Sequence, residues 1–159
     1  MISPKGLNRI KKKNNVPKIL DLSEFDFLVN TPSLLALSDF DLCLDLYIKE
    51  GGLEVSKKKC LENKLILDNW ERNCEYVEYF SKVKENRAIT PCYFVFRQKF
   101  NYDDFFNYLI KEQVAFDIRN YKSAKPGIRV WTGPTIKKKD LINLTNWLDW
   151  SFYKFAKLK

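Results

Sequence analysis

A run of strand-forming residues near the middle of the chain constrains the fold most. The segment Cys92-Tyr93-Phe94-Val95-Phe96 combines β-branched and aromatic side chains, which suit the pleated surface of a sheet. Helical periodicity stands on both sides of it, from Leu53 to about Val83 and from Asn101 to Gln113. The sequence therefore predicts a strand packed among helices, in a fold of the mixed α/β class.

The second half of the chain supplies the rest of this fold. Two more strands are predicted at Val114–Ile118 and Ile128–Thr132, the latter after a turn at Pro126-Gly127. A final amphipathic helix carries apolar residues at helical spacing, namely Leu141, Leu144, Leu148, Phe152 and Phe155. The expected architecture is α/β (α+β), with a small, mostly antiparallel sheet covered by helices on one side.

The first half carries helix boundaries but too little apolar patterning for a domain of its own. One short helix is predicted from Pro4 to Lys13, and another with Thr31 as its N-cap and Pro32 in its first helical position. Gly51-Gly52 ends the second helix, because glycine tolerates the left-handed conformation. We expect residues 1–50 to be the end of a larger domain and residues 51–159 to form a small domain with a long connecting helix.

Composition excludes several classes of site. Histidine is absent, which excludes a Ser-His-Asp triad, a Cys-His pair and an imidazole metal ligand within this chain. The four cysteines stand far apart without a Cys-x-x-Cys pair, so we predict scattered thiols of a reducing cytoplasm and no metal site. No run approaches the roughly 20 apolar residues that cross a bilayer, and no apolar signal core opens the chain. We therefore expect a cytoplasmic protein without a membrane partner.

The formal charge of +8 raises the alternative of a nucleic-acid-binding module. Lysine triplets at 11–13, 57–59 and 137–139 would supply phosphate contacts. Acidic residues are interspersed throughout, however, and no aromatic stacking motif accompanies the triplets. We predict solvated helix faces and no nucleic-acid partner, while a non-catalytic basic α/β module stays open as an alternative.

The segment Asn30-Thr31-Pro32-Ser33 is the first candidate site. The first turn of a helix presents backbone N–H groups and a partial positive charge, so anions bind there. The Asn30 amide and the Thr31 hydroxyl would add side-chain donors, which together suit a phosphate group. The simpler alternative is that Thr31 only caps a helix.

Arg129 is the second candidate. Alternation along its strand places Arg129 on the face opposite Ile128 and Val130. A planar guanidinium matches a carboxylate through two parallel hydrogen bonds. The alternative is an arginine that lies across the sheet and pairs with a nearby acid. Lys122, in the preceding loop, would add charge for a second anionic group.

An ordered set of motifs carries a resemblance to a known family. The motifs are Asn30-Thr31-Pro32-Ser33, Gly51-Gly52-Leu53 with Asn63 and Trp70, Val114–Ile118, Gly127–Thr135 and Leu144–Trp150. In this order they resemble the closing part of phosphoserine aminotransferases, in the form found in many alphaproteobacteria and some archaea. The resemblance extends over nearly the whole chain.

The resemblance implies a fold-type I, class V aminotransferase that binds pyridoxal 5'-phosphate and acts as a homodimer. Such enzymes exchange an amino group between glutamate and 3-phosphohydroxypyruvate, which yields phosphoserine for serine biosynthesis. The resemblance implies that Asn30 and Thr31 bind the cofactor phosphate of the partner subunit and that Arg129 binds the substrate carboxylate. Lys122 corresponds to a residue of the region that holds the substrate phosphate, where related sequences often have Arg or His.

The resemblance also implies what the chain lacks. In that family the lysine that bonds to the cofactor lies upstream of the segment that matches residue 1, so no catalytic residue is expected here. We expect the C-terminal part of such an enzyme, inactive alone, as a homodimer or completed by an N-terminal half. The alternative enzyme is another class V aminotransferase, of the alanine–glyoxylate or serine–glyoxylate type.

Overall fold

The computed structural model describes residues 3–10 and 33–156. The chain divides into two compact units, Met1–Tyr47 and Ile48–Lys159, with the division in the last turn of a helix. The elements are α1 (Pro4–Ile10), α2 (Leu34–Lys49), α3 (Gly52–Asn73), β1 (Val77–Tyr79), β2 (Cys92–Phe96), α4 (Tyr102–Lys111), β3 (Gly127–Val130) and α5 (Lys138–Phe155). A short 3₁₀ turn at Lys84–Asn86 lies between β1 and β2.

Serine hydroxyls stand at the starts of the first two helices. Ser3 Oγ accepts the backbone N–H of Gly6 at 3.2 Å, and Ser33 Oγ accepts that of Ala36 at 3.3 Å. Ser33 thus makes the hydrogen bond of an N-cap, three residues before the N–H it accepts, whereas the sequence predicted Thr31 as the cap. Thr31 itself, like the predicted end of the first helix at Lys13, lies outside the described residues.

Helix α3 begins at the Gly51-Gly52 pair. Both glycines have positive φ, 98° and 59°, so the prediction of a left-handed break between two helices is confirmed. The predicted end of α3 near Val83 is wrong, since the helix ends at Asn73 and Cys74 turns to extended backbone. Val77 matched the helical spacing, but it belongs to β1 and is buried through pairing with β2.

The sheet is small and wholly antiparallel among the described strands, in the order β1-β2-β3. Val77 pairs with Phe96 at one junction, and Tyr93 pairs with Arg129 at the other. Strand β2 occupies the predicted residues, and the third strand forms over Gly127–Val130. The prediction of a mixed α/β fold with a small antiparallel sheet is confirmed.

The strand predicted at Val114–Ile118 does not form. Gln113 adopts a left-handed φ of 56°, and the N–H of Val114 then bonds back to the Leu109 carbonyl of α4 at 2.9 Å. Backbone groups that are committed to a helix end cannot build a strand ladder. A single antiparallel bridge, between Arg119 and Ile128, is what remains along β3.

One face of the sheet packs against helices α3, α4 and α5. The largest fully buried side chains of this core include Leu67, Phe94, Phe105, Ile128, Leu148 and Phe152. Polar contacts also join the layers: the indole N–H of Trp70 donates to Asp149 of α5 at 2.7 Å. Burial raises the pKa of Asp149, while this hydrogen bond opposes the rise.

The buried amide of Asn63 fixes the loop that follows β3. Its Nδ2 donates to the carbonyls of Gly133 at 3.2 Å and Ile136 at 3.0 Å, and lies 3.5 Å from that of Thr132. Asn63 is 1% exposed, so these bonds are made away from water. These hydrogen bonds hold the loop that follows Trp131 against α3.

Candidate functional site

Strand β3 presents Arg129 on the sheet face away from the helices. Ile128 and Val130 are buried against the helices, whereas the Arg129 side chain remains 20% exposed on the opposite side. The predicted alternation is therefore confirmed. The backbone is held on both edges, because Arg129 pairs with Tyr93 and its N–H bonds to the Ile118 carbonyl at 2.6 Å.

Glycine at position 127 allows β3 to approach β2 this closely. A Cβ at that position would lie well inside van der Waals contact with the backbone carbonyl of Phe94. Backbone atoms cannot rotate away as a side-chain tip can, so any larger residue would push the strands apart. The glycine thus sets the start of the strand that carries Arg129.

Two side chains of the preceding segment hold the Arg129 guanidinium. Its Nη2 lies 3.2 Å from Oδ2 of Asp117, and its Nη1 donates to the hydroxyl of Tyr121. The guanidinium carbon also lies 4.2 Å from the centre of the Tyr121 ring, within the range of a cation–π contact. The predicted alternative, an arginine that pairs with a nearby acid, therefore matches the contact of Arg129 with Asp117.

The guanidinium opens onto a cleft of about 380 Å³. The lining residues are Pro91, Asp117, Ile118, Tyr121, Arg129 and Trp131. Aromatic walls around one fixed cation suit a small molecule that carries a carboxylate. Because the Asp117 side chain is 90% exposed, it can swing into water and yield its place to such a ligand.

Lys122 is exposed in the turn after Tyr121 and does not line this cleft. Its loop is nevertheless ordered by Asn120, whose amide donates to the carbonyls of Tyr121 at 2.9 Å and Ala124 at 3.4 Å. The side-chain carbonyl oxygen of Asn120 accepts the backbone N–H of Gly127 at 3.3 Å. The structure thus brings the loop of Lys122 beside Arg129 without a contact between the two side chains.

Asn30 and Thr31, the predicted phosphate-binding residues, lie outside the described residues. The helix that follows them is described, and its first turn has a Ser33 cap. The first N–H groups of any helix lack intrahelical acceptors and favour an anion. The phosphate site at Asn30 and Thr31 stays a prediction.

Sequence reasoning missed the two cleft residues that hold the guanidinium, Asp117 and Tyr121. Both precede Arg129 on a segment that runs antiparallel to β3 through the bridge at Arg119. An acid and an aromatic residue 12 and 8 positions before the arginine would have been a usable signal. The predicted strand at Val114–Ile118 concealed this signal. Side chains of a strand alternate between the two faces of the sheet, whereas those of a loop follow no such rule.

Comparison with known proteins gives this geometry a context. No protein-family model matches the chain. Proteins from Methanosarcina mazei and Methanosarcina barkeri, both named phosphoserine aminotransferase, are each 28% identical to it over 165 residues. This chain is similar to phosphoserine aminotransferases. Each match covers 96% of the chain but 45% of the relative, so the chain spans about half the length of these phosphoserine aminotransferases.

Other classes of site gain no support from the described part of the chain. Between residues 3 and 10 and between 33 and 156, no group of three or more Cys, Asp or Glu side chains is placed to hold a metal ion. None of the helices in these ranges combines the length and apolarity needed to cross a membrane. The glyoxylate-type alternative is not better supported than phosphoserine aminotransferase by the two relatives.

Proposed function

We propose that the chain is the C-terminal portion of a pyridoxal-phosphate-dependent phosphoserine transaminase. The complete enzyme would exchange the amino group between glutamate and 3-phosphohydroxypyruvate to give 2-oxoglutarate and phosphoserine, in cytoplasmic serine biosynthesis. One observation carries the proposal: Arg129 is fixed in a small cleft of a chain that is similar to phosphoserine aminotransferases over 96% of its length.

Arg129 would bind the carboxylate that every substrate of this reaction carries. Its backbone is held by β2 on one side and by Ile118 on the other, so the guanidinium is presented in a fixed orientation. Tyr121 carries no charge but shields one face of the guanidinium from water, which strengthens an ion pair formed at its edge. Asp117 would occupy the carboxylate position beside Arg129 in the free protein and move away when the substrate carboxylate binds.

Asn30 and Thr31 would hold the phosphate of the cofactor at the start of α2. That place fits a dianion, because the 16-residue helix begins with N–H groups directed out of its first turn. When bound, pyridoxal phosphate supplies the electron sink that amino-group exchange requires. Lys122, exposed in the ordered loop before β3, would contribute charge toward the substrate phosphate.

Complete activity would need polypeptide beyond these residues. The chain spans about half of its relatives, and the resemblance assigns the lysine that bonds to the cofactor to the other half. We propose a homodimer of the completed enzyme, or a complex with an N-terminal half. The free thiols of Cys43, Cys60, Cys74 and Cys92 are compatible with the cytoplasmic location proposed here.

The carboxylate site is testable on the 159-residue chain. Phosphoserine and 2-oxoglutarate should shift the side-chain Nε–H resonance of Arg129 in an NMR titration. The variant Arg129→Lys should weaken binding about tenfold, since lysine cannot form two parallel bonds to a carboxylate. The matched control is Arg119→Lys, which alters a neighbouring exposed arginine paired with Asp103 at 2.7 Å.

A second measurement addresses the reaction itself. A chain extended to the full length of its relatives should transfer the amino group of glutamate to 3-phosphohydroxypyruvate in preference to glyoxylate. The proposal fails if glyoxylate is the better acceptor, or if Arg129→Lys leaves carboxylate binding at the level of the Arg119→Lys control.

A further inference from the structure

Trp131 directly follows β3 and lines the cleft of Arg129. The alternation of the strand continues through it, because Val130 and Thr132 are buried whereas Trp131 is 54% exposed. Residues two positions apart in extended backbone point to the same face and lie about 6.6 Å apart. The side chains of Trp131 and Arg129 are therefore neighbours in the cleft wall.

The N–H edge of the Trp131 indole is uncovered because residue 133 is glycine. A Cβ at Gly133 would lie 2.6 Å from Cε2 and 2.8 Å from Cζ2 of the indole, and closer still to Nε1. Any side chain at position 133 would therefore cover this edge or push the ring aside. The glycine leaves the polar atom of the ring accessible.

This N–H group also lacks a partner within residues 3–10 and 33–156. The indole N–H groups of Trp70 and Trp150 donate to Asp149 at 2.7 Å and to the hydroxyl of Tyr108 at 3.3 Å, whereas that of Trp131 donates to none of these residues. An indole N–H group is a donor only, so it can bond an oxyanion of a ligand but not an ammonium group.

The backbone on both sides of the indole is held. Arg129 pairs with Tyr93 of β2 before it, and the N–H of Thr132 donates to the hydroxyl of Thr90 at 3.3 Å after it. The guanidinium and the indole N–H are therefore presented from neighbouring points on a fixed backbone.

We propose that Trp131 is a specificity-determining residue of the Arg129 cleft, whose indole N–H donates to a second oxyanion group of the ligand. The ligand class is a small dianion with a carboxylate and a second oxyanion group a few bonds apart, as in phosphoserine and 2-oxoglutarate. A ligand with one oxyanion group, such as serine or glyoxylate, uses Arg129 alone. This inference rests on the proposed function for the carboxylate at Arg129 and adds a preference for dianions.

The indole resonance of Trp131 reports this hydrogen bond directly. The chain contains four tryptophans, so the signal that disappears in Trp131→Phe is the one to follow. In an NMR titration of the 159-residue chain, phosphoserine should shift this signal together with the Nε–H signal of Arg129. Serine, which differs from phosphoserine by the phosphate group, should shift the Arg129 signal alone.

The variant Trp131→Phe keeps an aromatic wall and removes the N–H group. It should weaken the binding of phosphoserine about fivefold and leave that of serine unchanged, since only the dianion uses this donor. Gly133→Ala should have the same selective effect, because the new methyl group covers or displaces the N–H edge. The matched control is Trp150→Phe, which alters an equally exposed tryptophan of α5 and should change neither affinity.

Three results would overturn the inference. The first is a Trp131 signal that phosphoserine leaves in place while the Arg129 signal shifts, an outcome that spares the proposed carboxylate site. The second is a Trp131→Phe variant with native affinity for phosphoserine, or with an equal loss for serine, because the ring would then act as an apolar wall alone. The third is an Arg129 signal that no ligand shifts, and in that case the carboxylate site fails as well.

Discussion

The guanidinium of Arg129 and the carboxylate of Asp117 approach to 3.2 Å, although one side chain is 20% exposed and the other 90%. The arginine is thus mostly buried and the aspartate is surrounded by water, so the pair can open on the side of the aspartate. Exposed ion pairs contribute about 0.2–1 kcal/mol, so a ligand carboxylate that makes two hydrogen bonds can displace Asp117.

Removal of Asp117 should therefore strengthen ligand binding. We expect Asp117→Asn to tighten the binding of phosphoserine or 2-oxoglutarate about two- to fivefold, because the internal competitor loses its charge. Isothermal titration or NMR titration of the chain would measure this. The control Asp103→Asn opens a comparable exposed pair with Arg119 and should have no effect. Weaker binding in Asp117→Asn would mean that the aspartate helps to position the guanidinium.

Asn63 should contribute to stability through the loop after β3. Asn63→Ala leaves the buried carbonyls of Gly133 and Ile136 without their donor, at a cost of about 1–3 kcal/mol. Asn63→Asp should cost more, since a buried carboxylate would face carbonyl oxygens, and its excess cost should shrink at low pH as the carboxylate becomes protonated. Urea unfolding at pH 7 and pH 4 would show the difference. Equal stability of the two variants at pH 7 would contradict this role.

Asp68 should make the chain sensitive to acid. Burial opposes ionisation of this carboxylate, but hydrogen bonds from Lys64, at 2.7 Å, and from Tyr79 lower its pKa below the usual value. A lowered pKa in the folded state adds stability at neutral pH, and this stability is lost as the pH falls below about 4.

We expect Asp68→Asn to unfold more easily at pH 7, by about 1–3 kcal/mol, because Lys64 loses its partner in a half-buried place. The variant should also lose less stability than the native chain between pH 5 and pH 2, a window about the ordinary aspartate pKa. Chemical unfolding across this range gives both quantities. Glu62→Gln, which opens the more exposed pair with Lys138, should change stability far less. Parallel pH profiles for the native chain and Asp68→Asn would refute the assignment.

The two glycines around β3 should respond differently to substitution by alanine. Gly127→Ala should destabilise the protein by about 3 kcal/mol or more, because the new methyl group meets the Phe94 backbone carbonyl. At Gly133 the obstacle is the indole of Trp131, a half-exposed side chain that can shift more readily than backbone. Gly133→Ala should therefore cost less stability but move Trp131, with a change in tryptophan fluorescence. Thermal unfolding monitored by circular dichroism tests the order of the two variants.

Much of the sheet and its helical cover could be predicted, because local composition and burial agree there. The residues of β2 are strand formers, and Leu141, Leu148 and Phe152 of α5 keep a helical period through a buried face. The sheet face of Arg129 was predicted correctly, because alternation along a strand needs no knowledge of its neighbours. At these positions local preference and tertiary packing point the same way.

The failures lie where one strand pairing or one helix-end hydrogen bond overrules the local pattern. Val77 fits a helical stripe, yet pairing with Phe96 makes it part of a strand. Val114 has strand character, yet its N–H is taken by the Leu109 carbonyl at the end of α4. Asp117 and Tyr121 join the cleft through that displaced segment, so their spacing of 12 and 8 residues before Arg129 indicates the contact only if the segment is not assigned to a strand.

The amide of Asn120 determines how its loop responds to substitution. It alone makes three hydrogen bonds across the loop that carries Lys122, to Tyr121, Ala124 and Gly127, so the loop conformation is set at its base. The tip residues Lys122, Ser123 and Lys125 are exposed, and their side chains contribute little to the loop conformation. Single substitutions can therefore exchange charges at the tip while the loop keeps its conformation and the protein stays folded.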